Sequence, residues 1–131
     1  MAGKILIQGS VVRALYGILA LFMPKLLLAS IGMREEDVGD EARYFNRLFG
    51  GRDLLVAIGT VAAVRAGGDA NAVKVNLFCE ATDSIALGEE IRVRGKIGRT
   101  TIIGAAFNVL GYFTWLRALR ALSSPGARSS K

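Results

Sequence analysis

The sequence predicts an all-α protein, a four-helix transmembrane bundle with short loops and an extra short interfacial helix after the first helix. Three observations carry this. The chain of 131 residues has room for one domain, yet 52% of it is hydrophobic and only 21% is charged. A soluble domain of this size must cover a large surface with polar groups and seldom carries so much apolar weight. The apolar residues also fall into four long segments divided by polar or glycine-bearing stretches. Finally, 16 glycines against 2 prolines suit helices that approach closely in lipid. No Gly-X-Y period or low-complexity run points to collagen or a linker. A soluble helical bundle is the alternative, and a mean hydropathy of +0.40 favours the membrane.

The first segment runs from about Ile5 to Met23, interrupted by Gln8 and Arg13. It is read as a retained helix rather than a signal peptide, because no small-residue cleavage site follows before Pro24 and Lys25. Leu26–Ile31 is too short to span and is expected at the interface or across the end of the bundle. Arg34–Glu41, rich in acids, reads as a solvated loop. The second segment, Tyr44–Val64, is long enough at ~1.5 Å per residue to match a hydrocarbon core of ~30 Å. Arg65–Asp69, with Gly67 and Gly68, reads as a tight turn. The third segment, Val73–Ile91, carries Glu80 and Asp83 in its middle. A central carboxylate costs roughly 2.5–3.5 kcal/mol on insertion, so this helix needs partners that neutralise it. Arg92, Arg94, Lys96 and Arg99 then form a basic loop, expected to lie against the acidic one. The fourth segment extends from Thr100 to about Leu122. Residues 1–122 thus form one domain, and 123–131 a disordered basic tail. Four spans put both ends on one side; positive charges tie between the sides, and the basic tail favours the cytoplasm.

The net charge of +6 and pI near 10.0 invite a nucleic-acid reading. The bases sit at the ends of apolar segments, where they meet lipid headgroups, and no basic stripe is interleaved with aromatics. The expected partners are therefore the lipid bilayer and another copy of the chain or another membrane protein, not nucleic acid. Cys79 is the only cysteine and histidine is absent. These facts exclude an internal disulfide, histidine acid–base catalysis, and the usual zinc and haem sites. No metal and no cofactor are expected.

Helical spacing sorts the polar residues onto faces. Ser10, Arg13, Gly17 and Ala20 share a stripe, as do Asn46, Gly50, Asp53 and Ala57, with Arg52 beside them. Asn76, Glu80, Asp83 and Leu87 form a third, and Thr101, Gly104, Asn108, Gly111 and Trp115 a fourth. With these faces inward, Arg13, Arg52, Asp53, Glu80, Asp83 and Asn108 meet in a near-neutral cluster. Such a cluster can be structural, fixing packing and register, or a ligand or proton site, as intramembrane charges often are. In the second case Glu80 and Asp83 would carry the proton, and Arg13 and Arg52 would anchor an anionic headgroup or keep a carboxylate ionised. Tyr112 and Trp115 read as an interfacial aromatic anchor. Gly17, Gly50, Gly59, Gly88, Gly104 and Gly111 read as close contacts between helices.

The run Phe49-Gly50-Gly51-Arg52-Asp53-Leu54 resembles a signature found in small four-helix integral membrane proteins of unknown function. These carry a Gly-x-Arg-Asp-type motif at the start of helix two and an acid in helix three, matched here by Arg52, Asp53 and Asp83. The resemblance covers Arg47 to Leu87 and implies the architecture without an activity. Three roles are compatible with these residues. The first is an accessory or structural subunit of a membrane assembly. The second is a binder or carrier of an amphipathic lipid-like or quinone-like molecule. The third is a small membrane isomerase or hydrolase using Glu80 and Asp83 as acid and base.

Overall fold

A computed structural model describes residues 1–34 and 39–124. Among them are five helices and no strand: α1 Ala2–Phe22, α2 Pro24–Ser30, α3 Asp40–Arg65, α4 Asp69–Arg94 and α5 Arg99–Ser123. The protein is all-α. By length and composition, α1 and α5 are apolar enough to cross a membrane, and among the described helices only these two are.

The punctuation follows local chemistry. Pro24 opens α2 at a position where its missing N–H costs nothing. After α3 the chain turns through Gly67 at φ +76°, with Gly67 N–H donating to Val64 O at 3.1 Å and Gly68 N–H to Ala63 O at 2.7 Å. This is the glycine-dependent pattern that satisfies the last helical carbonyls. Gly95, at φ +62°, ends α4 similarly. Two expected boundaries shift: Asp40 opens α3 rather than lying in a loop, and Arg92 and Arg94 complete the last turn of α4. Arginines in a last turn suit the negative end of the helix dipole. Of the acidic loop, residues 35–38 lie outside the described residues, as do 125–131 of the expected tail.

The four long helices form a ring in the order α1, α3, α4, α5, neighbours antiparallel, with α1 facing α4 across the diagonal. The α1–α3 seam is the tightest. A Cβ added to Gly17 would lie 2.8 Å from Gly50 O, and one added to Gly50 would lie 2.6 Å from Ala20 Cβ. Backbone meets backbone there, which only glycine permits. Gly9 makes a second slot, where a Cβ would sit 2.5 Å from the Trp115 ring. By contrast Gly59 and Gly88 face open space and Gly104 meets only Leu87 at 3.9 Å, so these three are not close helix contacts.

Polarity is arranged inside out. Asn46, Asp53, Thr60, Asn76, Glu80 and Ser10 are buried, while Leu55, Phe78 and Ile85 are 70–72% exposed. Apolar packing is concentrated near the α3–α4 turn, where Leu6, Ala72, Val73, Trp115 and Ala118 form a small core. At the other end α2 packs against α1 and α3 with Pro24, Leu27 and Leu28 buried. Arg99 at the start of α5 lies against Gly32 after α2, so these two connections share one end.

Candidate functional site

The stripes read from helical spacing bring Arg13, Arg52, Asp53, Glu80, Asp83 and Asn108 into one network inside the ring. It has two centres. In the first, Glu80 of α4 is the hub. Arg13 of α1 donates through Nη2 to Glu80 Oε1, Trp115 Nε1 donates to the same oxygen at 2.9 Å, and Asn108 Nδ2 donates to Oε2 at 3.1 Å. Three donors converging on one carboxylate in a desolvated setting hold it in one orientation. Gly111 makes this possible: a Cβ there would lie 2.5 Å from the Glu80 carboxyl carbon.

In the second centre Arg52 of α3 grips Asp83 of α4 with both terminal nitrogens, at 2.6 and 3.0 Å. This is the bidentate geometry that a guanidinium fork favours. Asp53 joins the two centres. Its Oδ1 accepts from Arg52 Nη2 at 3.0 Å and lies 4.0 Å from Arg13 Nε. The side chains of Arg13, Asp53 and Glu80 are nearly enclosed, whereas those of Arg52 and Asp83 are about one third exposed.

Several members were not singled out from the sequence. Asn76, fully buried, accepts from Arg13 Nη1 at 2.9 Å and donates to Thr60 Oγ1 at 2.7 Å and Ala72 O at 2.9 Å. Ser84 Oγ donates to Asn108 Oδ1 at 2.7 Å, which orients the Asn108 amide toward Glu80. Helical spacing had put Asn76 on the inward stripe. Thr60 extends the α3 stripe of Asn46, Asp53 and Ala57 by one more turn, and that is the signal that finds it. Trp115 is not an interfacial anchor. It is 3% exposed, bonded to Glu80 and stacked 5.4 Å from the Arg13 guanidinium. Its place near the end of the segment suggested a headgroup level, but Gly9 opens a slot that draws the ring inward.

A cavity of about 680 Å³ lies between α3 and α5 across the other diagonal, with Arg13, Arg52, Asp53, Glu80 and Asp83 among its lining residues. Its walls are largely apolar, including Val12, Tyr16, Phe49, Leu87, Ile103 and Phe107, and Ile31 and Thr100 stand at the α2 end. The Tyr16 and Phe107 rings pair at 6.4 Å on the α1–α5 side. Among the described residues no group of three acids or cysteines is placed to hold a metal ion. No known protein-family model, curated protein or solved structure matches this chain.

Proposed function

We propose that this protein is a multi-pass membrane four-helix bundle that binds an amphipathic molecule, head against the ion network and apolar part along the cavity walls. The carrying observation is the cavity itself: about 680 Å³, with charged residues in its lining and largely apolar walls. That volume lies within the range of roughly 300–1,000 Å³ of small-molecule sites, and few convergent polar groups in an apolar cleft are their usual composition.

The membrane part of the reading is supported by the inside-out polarity. The core helix of a soluble protein is mostly buried, but only 22% of the α1 window and 11% of the α5 window are buried. Val11, Leu15 and Ile18 of α1 and Val109, Leu110 and Phe113 of α5 point outward. On α3 and α4 the central charges, Arg52, Asp53, Glu80 and Asp83, are turned inward and paired, which lowers their cost. Exposed hydroxyls fit too: Thr82 and Thr114 donate back to Cys79 O at 2.7 Å and Leu110 O at 2.9 Å, satisfying themselves without water. On this reading α2 is the interfacial helix, and the ends of the chain face the cytoplasm with the basic tail on the anionic leaflet.

The test is extraction with alkaline carbonate followed by native mass spectrometry of the detergent-solubilised chain. The protein is expected to stay with membranes and to carry a co-purifying adduct of small mass. Gly104→Leu, which fills the cavity where a Cβ meets only Leu87 at 3.9 Å, should keep the membrane behaviour and lose the adduct. Recovery in the soluble fraction sinks the membrane reading, and an adduct unaffected by Gly104→Leu sinks the cavity reading. An accessory-subunit role draws support from Gly59 and Gly88, small residues on the outer surface; a fixed stoichiometry with another membrane protein in the same spectra would favour it. For orientation, Ser124→Cys and Lys96→Cys on a Cys79→Ser background should label from opposite sides, Lys96→Cys from outside the cell.

A further inference from the structure

We infer that the cavity selects an amphipathic molecule with a positively charged head, an alkylammonium or similar organic cation; this rests on the ligand-binding reading above. The chain as a whole is basic, at +6, but the cavity lining is acidic. Asp53, Glu80, Asp83 and Glu90 line it against only two bases, Arg13 and Arg52. Both arginines are already engaged by carboxylates. Arg52 gives both terminal nitrogens to Asp83 and Asp53, and its Nε is buried. Arg13 is held by Asn76 and Glu80 and covered by the Trp115 ring.

Glu90 is matched by Arg94. Two arginines then face three carboxylates, a formal excess of acid over base in the lining, and of the three Asp53 accepts the fewest hydrogen bonds, one at Oδ1, while lining the cavity. Between apolar walls an acidic lining attracts a cation and repels an anion more strongly than it would in water. Tyr16 and Phe107 add aromatic faces, which favour an ammonium over a neutral head. Of the two roles expected for Arg13 and Arg52, anchoring an anionic headgroup or holding a carboxylate, their contacts match the second.

The probes are decyltrimethylammonium and decyl sulfate, equal in chain length and opposite in charge, titrated into the full chain in non-ionic maltoside micelles. The single tryptophan, Trp115, lines the cavity, so its fluorescence reports occupancy. The ammonium should give a saturable change, and the sulfate should bind at least about tenfold more weakly. Asp53→Asn should weaken ammonium binding about tenfold. Because that change also touches the buried network, Glu90→Gln serves as a second variant outside it, with a loss of about threefold expected from a partly screened charge. Sulfate binding as tight as ammonium, or unchanged ammonium affinity in both variants, overturns the charge assignment and leaves the cavity as a ligand site. No saturable response to either probe overturns the ligand-binding reading and this inference together.

Discussion

The end of the bundle near the α3–α4 turn and the end near α2 are built from the same four helices by different means. At the turn end, Leu6, Val73, Trp115 and Ala118 fill the space between the helices with apolar volume. At the α2 end, α1 and α3 touch backbone to backbone at Gly17 and Gly50, while α3 and α5 part around the cavity. The ion network occupies the level between. Where the helices converge, side-chain volume suffices; where they diverge, charged groups long enough to reach across hold them in register. A cavity of this size in a small bundle is thus compatible with order, because the α1–α3 seam is closed by glycines and the ion pairs tie the helices together beside it.

The largest expected effect breaks the open end. Glu80→Ala strands the Arg13 guanidinium, the Trp115 N–H and the Asn108 amide, and removing one partner of a buried pair costs about 3–5 kcal/mol. Thermal unfolding in detergent should show a large drop for Glu80→Ala and none for Glu89→Ala, an acid paired with Arg92 on the surface. Equal melting of the two variants would mean that the network does not hold this end together.

A smaller effect is expected at the closed end. Leu6, fully buried, should cost about 2–5 kcal/mol on truncation to alanine through lost contacts and a void. Leu6 is not among the residues that line the cavity, so Leu6→Ala should melt earlier yet keep the wild-type affinity for decyltrimethylammonium. Loss of both together would show that the two ends are not separable units.

Much of this was legible in the sequence. Helical spacing identified the inward stripes, and Ser10, Gly17, Ala20, Asn46, Asp53, Ala57, Asn76 and Glu80 are all buried. The turn at Gly67 and Gly68 was legible because glycine tolerates the left-handed backbone it needs. The pairing was not. Which arginine meets which carboxylate depends on the order of helices around the ring, and periodicity within one helix says nothing about that. The cavity was invisible for the same reason, since it reflects the separation of α3 from α5. Glycines were the least legible: spacing cannot tell Gly17, against a neighbouring backbone, from Gly88, against nothing.

That difference sets the smallest prediction. Gly17→Ala must push α1 off α3 and should destabilise by about 1–3 kcal/mol, as overpacking does. Gly88→Ala adds a methyl in open space within a helix and should stabilise by about 0.5–1 kcal/mol. Chemical or thermal melts that rank the two variants the other way would show that the α1–α3 seam has slack.

The crowding of Glu80 against Gly111 also governs how this chain can drift over generations. A carboxylate at 80 and any side chain at 111 compete for the same few cubic ångströms. A methyl at 111 is therefore open only to a lineage that has already shortened residue 80. Shortening residue 80 while Arg13 is present leaves a buried cation without its counter-ion. Losing Arg13 first strands the Glu80 carboxylate in the same way, so positions 13 and 80 must change together before a side chain can enter at 111. Three positions far apart in the chain are bound into one ordered sequence of substitutions by a single missing Cβ.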